Sequence, residues 1–172
     1  MITKQCTSCK KILTIDNFTK NSTKKDNLRG NCKLCSKIRN SKYSNTEHGY
    51  MTNLFRYLRR REFQKRFEHY SEEEKSKRRC YVTKEQFFTL WEEHKKRYGY
   101  TCALTRQIIF FKTSTNSDSK INNGISVDRL DPNIGYTLEN IIFVANRTNQ
   151  MKCNVTKELC IGILKAYEER NW

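Results

Sequence analysis

Apolar positions are sparse along this chain, and their spacing changes as the chain proceeds. Over residues 1–45 only Ile12, Leu13, Ile15, Phe18 and Leu28 serve as anchors between Ser, Thr, Asn and Lys, which predicts irregular or short-stranded structure too poor in core to fold unaided. Between 50 and 70 the residues Leu54, Phe55, Leu58 and Phe67 fall near helical spacing among arginines, predicting an amphipathic basic helix. Ser71 to Arg79 has no apolar residue and reads as a charged connection. Thr83 followed by Gln86 forms a capping box for a helix that runs through Tyr98, presents Phe87, Phe88, Leu90 and Trp91, and stops at Gly99. Strand-like alternation then covers Tyr100 to Phe111 and Ile125 to Leu130, separated by a polar loop over 112–123. Asp131-Pro-Asn-Ile-Gly135 is a turn, and helices are expected from about Glu139 to Lys152 and from about Lys157 to Arg170.

Charge sharpens this picture. The 172 residues carry 34 Lys+Arg against 18 Asp+Glu, a net +16, and residues 1–80 hold +13 of it. An excess of that size suits a polyanion, because neutralising phosphates releases counterions. The longest apolar runs, Ile141 to Ala145 and Ile108 to Phe111, are far shorter than the roughly 18 residues of a membrane span, so no membrane partner is expected. The opening Met-Ile-Thr-Lys-Gln-Cys carries no legible export or organelle address, which makes a reducing intracellular compartment, cytoplasm or nucleus, the expectation.

In such a compartment eight cysteines point to metal or inert thiols rather than disulfides. Cys6-Thr-Ser-Cys9 and Cys32-Lys-Leu-Cys35 are two Cys-x-x-Cys knuckles that can supply four thiolates to one structural zinc, whose binding energy would be much of the segment's folding energy. Cys80, Cys102, Cys153 and Cys160 lack paired spacing, and the last two are expected on one helix face as buried small residues. His69 and His94 lie in charged helices and read as solvated.

Val127-Asp128-Arg129-Leu130-Asp131, Gly135-Tyr136-Thr137, Glu139-Asn140-Ile141 and Asn149-Gln150-Met151-Lys152 resemble the HNH, or ββα-metal, nuclease motif over about residues 100–153. The resemblance implies a divalent-metal site in which Asp128 and Asn149 hold Mg²⁺ or Mn²⁺ and Asn140 follows the hairpin loop. The sequence departs from the motif at its general base: where a His follows the Asp, this chain has Arg129, better suited to clamp phosphate charge. The Cys knuckles followed by Val-Asp-Arg, Gly-Tyr and Asn look like the PacI-type HNH restriction endonucleases. That likeness implies Tyr136 as an attacking phenol and His48 as a site residue, with a water activated by metal or His48 as the equal alternative. It also implies a second pair of zinc knuckles around the hairpin, but Thr105 stands where the partner of Cys102 would be, so Leu104, Ile108, Phe110, Ile142 and Phe143 are expected to hold the hairpin instead.

The expected protein is α+β: a zinc module at 1–45, a basic helical region at 46–98 and a ββα-metal region at 99–172. The expected activity is metal-dependent, sequence-specific cleavage of double-stranded DNA, with Arg59, Arg60, Arg61, Lys65, Arg66 and Lys152 on backbone phosphates. A homodimer on a pseudo-palindrome and a homing-type monomer that nicks both fit. The rivals are a non-catalytic zinc DNA-binding protein on the same fold and a zinc protein acting on RNA.

Overall fold

A computed structural model describes residues 2–64, 68–111, 123–153 and 155–169. The chain is α+β, with three two-stranded sheets and six α-helices among the described residues, and it divides into two compact units, Met1–Thr46 and Glu47–Trp172.

In the first unit β1 (Thr3–Gln5) pairs antiparallel with β2 (Ile12–Thr14), and β3 (Phe18–Lys20) pairs with β4 (Leu28–Cys32) across a bulge. The first knuckle links β1 to β2: the Cys6 amide donates to Lys11 O at 2.9 Å, the Lys10 amide to Cys6 O at 2.9 Å, and Lys10 takes φ +62°. Buried Cys6, Phe18 and Cys32, with Leu13, Leu28 and Cys35 against them, are the whole interior. The chain then enters α1 (Lys33–Ser44), a helix the sequence pattern did not predict. Its N-cap is the Cys32 thiol, which accepts from the Cys35 amide, and it buries no residue, so neither a Ser/Thr/Asp cap nor an apolar stripe announces it.

The second unit opens with α2 (Glu47–Arg60), which buries Met51 and Leu58 and runs into a 3₁₀ turn at Arg61–Phe63. The expected helix through residue 70 therefore stops at Arg60, and Phe67 lies outside the described residues. The charged connection contains a short helix, α3 (Glu72–Ser76), started by a Ser71–Glu74 capping box. α4 (Lys84–Tyr98) has the predicted ends: Thr83 and Gln86 bond reciprocally, at 3.2 and 2.8 Å, and Gly99 at φ +62° closes the helix. Its buried face is Phe87, Trp91 and His94. The solvated reading of His94 is thus corrected: its ring stacks on Trp91 with centroids 5.1 Å apart, and Nε2–H donates to Thr101 O at 2.9 Å.

The predicted strand at 100–111 is reduced to single bridges, Thr101–Ile108 and Phe110–Gly124, because the chain turns at Arg106 with φ +59°. β5 (Ile125–Arg129) and β6 (Ile141–Ala145) form an antiparallel hairpin with Asp128 opposite Ile142. The expected helix over 139–152 is corrected in its first half. Ile141-Ile-Phe-Val-Ala145 is a β-branched, aromatic run, four of whose five residues are buried, so strand pairing wins, and α5 spans only Asn146–Lys152. α6 (Lys157–Glu169) follows.

The core joins Met51 and Leu58 of α2, Phe87 and Trp91 of α4, and Val127 and Phe143 of the hairpin. Phe143 meets Phe87 and Trp91 edge-on, with centroids 5.4 and 5.1 Å away, and each ring adds about 0.5–1.5 kcal/mol per such pair beyond its area. Of the residues expected to hold the hairpin, Phe143 and, partly, Ile142 do so. Leu104, Ile108 and Phe110 are about half exposed, and Ile109 is buried in their place, since alternation puts it on the inner side. Cys153 and Cys160 are exposed rather than buried, on a turn and on α6.

Candidate metal centre and active site

The two knuckles bring Cys6, Cys9, Cys32 and Cys35 together, with all four Sγ atoms within 4.8 Å of one another. This group can hold a metal such as zinc, which takes thiolates at about 2.3 Å. The Cys32 amide donates to Cys6 Sγ at 3.2 Å and the Cys35 amide to Cys32 Sγ at 3.4 Å. Backbone amides, that of Cys32 foremost, lower the Cys6 thiol to about 6, so it is largely thiolate at neutral pH. The Cys35 thiol is pushed up to about 12 by its hydrogen bond with Cys32 and by burial. A divalent cation removes that conflict by attracting all four thiolates.

In the second unit α5 lies across one face of the hairpin. Ser126 and Asp128, two apart on β5, share that face, and Asn149 and Lys152, three apart on α5, meet them. Asn149 Nδ2 donates to Ser126 Oγ at 2.7 Å and Val127 O at 3.2 Å. Lys152 Nζ donates to Arg129 O at 2.9 Å and stands 3.1 Å from Asp128 Oδ2. Asp128 is buried, and its Oδ2 accepts no hydrogen bond of good geometry from the described residues, so the Lys152 charge is its compensation.

Tyr136 enters from the loop between the strands. Its backbone is tied to Arg79 O and to the Tyr81 amide, and its ring is 2 % exposed. Arg61 Nη1 donates to its phenolic oxygen, and the guanidinium carbons of Arg129 and Arg61 lie 5.4 and 5.8 Å from its ring centre. Burial pushes the phenol above its usual value against the pull of both arginines. Arg129 Nη1 also donates to Lys77 O and to Pro132 O, fastening the hairpin to the segment after α3. Gly135 beside it is obligatory on space: a Cβ would stand 2.5 Å from the Tyr81 ring and 2.8 Å from the carbonyl oxygens of both Arg79 and Ser76.

The other predicted residues take different places. Asn140 is buried, accepts from the Asp131 amide at 2.7 Å, and donates to Asp131 O, Ile134 O and Gly135 O, so its amide is spent on shaping the 131–135 turn. His48, in the first turn of α2, is exposed with its ring centre 5.0 Å from that of Phe88. Arg59 donates to Cys80 O at 2.9 Å, and Arg60 is exposed beside a cleft of about 670 Å³ shared with Arg56 and Tyr57. Lys65 and Arg66 lie outside the described residues. Sequence reading missed the joining of Arg61 to Tyr136, for which a separation of 75 residues leaves no trace. It also missed Ser126, which the two-residue period of β5 could have supplied from Asp128.

The chain has no match among protein-family models, curated proteins or solved structures. Among the described residues no helix is long and apolar enough to cross a membrane.

Proposed function

We propose that this protein is a metal-dependent DNA endonuclease of the HNH, ββα-metal, kind, with a structural zinc module. The observation that carries the reading is the hairpin–helix unit in which a buried carboxylate oxygen of Asp128 accepts no hydrogen bond from the described residues while Asn149 and Lys152 approach from α5. The Asp128 carboxylate, with the Asn149 side-chain amide on the same face of the unit, is a donor set that would suit a hard divalent cation, Mg²⁺ or Mn²⁺, that keeps most of its waters, with the Lys152 ammonium as competitor for the same carboxylate. When bound there, the cation supplies Lewis-acid polarisation of a phosphodiester. Arg129 and Arg61, beside Tyr136, present positive charge for the phosphate.

A water is the better nucleophile. The phenol of Tyr136 is buried, covered by Arg61, and harder to ionise than in solution, so Tyr136 acts as the pillar that positions the two arginines. One observation favours a second reading, a non-catalytic DNA-binding protein: Lys152 already neutralises Asp128. Incubating the zinc-loaded protein with long duplex DNA and Mg²⁺ or Mn²⁺ separates these. Metal-dependent fragments that vanish in Asp128→Ala establish the nuclease; salt-sensitive retardation without fragments under both metals establishes the binding protein. Tyr136→Phe is expected to keep measurable cleavage with no trappable protein–DNA adduct, whereas complete loss together with a wild-type adduct would make Tyr136 the nucleophile.

A further inference from the structure

The DNA reading needs an element that recognises sequence, and the first unit holds a helix whose residues are all at least partly exposed. α1 has twelve residues and buries none of them. Its N-terminus is attached to the module's interior, where Cys32 caps it and Cys35 reaches the thiol cluster. A hundred degrees per residue puts Lys33, Lys37, Asn40 and Ser41 on the side away from Cys35, and all four are exposed. Leu34 and Ile38 adjoin them, 66 % and 49 % exposed, which is unusual for aliphatic side chains one turn apart in water. The helix carries Lys33, Lys37, Arg39 and Lys42 and no acid, and none of these cations forms an ion pair with a described residue. Residues 1–46 hold eleven Lys+Arg against two Asp, so the module carries a strong positive potential that favours an anionic partner.

Resting on the DNA reading above, we infer that α1 is the sequence-reading helix, lying in the major groove of duplex DNA with Lys33, Lys37 and Asn40 toward the base edges. A bare helix about 10–12 Å across matches a groove about 12 Å wide. The residue types match what the groove displays: a lysine donates to guanine O6 and N7, an asparagine pairs two-fold with adenine, and aliphatic groups such as Leu34 and Ile38 meet thymine methyls. Arg39 and Lys42, turned from that face, are left for flanking phosphates, where they add affinity without sequence information.

The test uses the full zinc-loaded chain, without added Mg²⁺ or Mn²⁺ and without chelator, to select from a duplex library with a randomised core, followed by titration of the selected and scrambled duplexes. The wild type is expected to enrich a defined sequence. Asn40→Ala should lose about ten- to hundredfold affinity for it and keep its affinity for scrambled DNA within about threefold, because an uncharged residue is removed from a base edge. Lys42→Ala should weaken both duplexes alike and flatten the salt dependence. Unchanged zinc content in the variants excludes loss of the module. The inference is overturned if Asn40→Ala selects the same sequence with the same affinity, if the library is enriched uniformly, or if RNA of the same sequence binds tighter than duplex DNA. Cleavage that persists with unaltered specificity in the α1 variants would sink this inference alone, whereas selective binding without cleavage would sink the nuclease reading and leave this one standing.

Discussion

Lys152→Met tests the centre of the second unit. The Lys152 and Asp128 side chains are 14 % and 10 % exposed, with Nζ 3.1 Å from Oδ2, so the substitution leaves a nearly buried carboxylate without its ion-pair partner and with little water. Breaking a buried pair in this way costs 3–5 kcal/mol, and the residual exposure of both groups puts this case near the lower end, about 3 kcal/mol. At roughly 2–4 °C per kcal/mol for a chain of this size, Tm should fall by about 6–12 °C. The same variant frees the carboxylate for a cation. If Asp128 is a ligand with a dissociation constant on the order of 1 mM, 10 mM Mg²⁺ should return about 1.4 kcal/mol to Lys152→Met and clearly less to the wild type, where ammonium and metal compete. Asp128→Asn/Lys152→Met, which removes both charges, should recover most of the loss and show no Mg²⁺ effect. Thermal unfolding of the three proteins with and without Mg²⁺ reads all of this. A loss below about 1 kcal/mol in Lys152→Met, or equal Mg²⁺ stabilisation of every protein, would refute the reasoning.

Further outcomes can be checked alongside. Elemental analysis should find one zinc per chain, and Cys35→Ala should lose it and expose the first unit to protease while the hairpin unit keeps its cooperative melt; retention of zinc would remove the thiolate site. His94 is pushed below the usual imidazole value by burial, so unfolding takes up a proton there as pH falls. Stability owed to neutral His94 should therefore be fully present above about pH 6.5 and decline below it, and His94→Gln should remove that slope from a Tm series between pH 8 and pH 5. Gly135→Ala forces a methyl against the carbonyls of Arg79 and Ser76 and the Tyr81 ring, which should cost about 1–3 kcal/mol in denaturant melts; a neutral result would mean that the turn shifts freely.

How legible each element was depended on whether its cause was local. α4 could be bounded at both ends because Thr83, Gln86 and Gly99 act within a turn of themselves. The four thiols could be grouped because a knuckle's spacing is its geometry. Where the cause was a partner distant in sequence, the pattern misled: Ile141 to Ala145 looks compatible with a helix until β5 is set beside it, and His94 looks solvated until Trp91 and Phe143 cover it. Of the candidate site, Asp128 and Asn149 lie on one face of the hairpin–helix unit, while Lys152, expected on DNA phosphates, is engaged with Asp128 and Arg129 O, and the amide of Asn140 is occupied by the loop it follows. α1 escaped because its cap is a thiol and its surface is polar on most sides.

The odd cysteine of the hairpin unit shows how differently one and the same turn is supported in the two units. At Cys102 the backbone repeats the first knuckle bond for bond: the Cys102 amide donates to Gln107 O at 2.8 Å, the Arg106 amide to Cys102 O at 2.9 Å, and Arg106 takes φ +59° as Lys10 takes +62°. Yet Thr105 stands where Cys9 stands in the first, and Cys102 Sγ lies 3.7 Å from the hydroxyl of Thr148 on α5. The turn is the same, but its surroundings differ. The first knuckle closes over Phe18 as the sole fully apolar side chain buried in its cluster. The second is tied through the Ala103 amide to Phe143 O, under a cluster where Phe87, Trp91 and Phe143 are together worth about 5–9 kcal/mol of burial. A turn held from beneath by three buried rings has packing to keep its shape without thiolate ligands, whereas the same turn over a single phenylalanine has little, and a metal held by its four thiols would supply the difference.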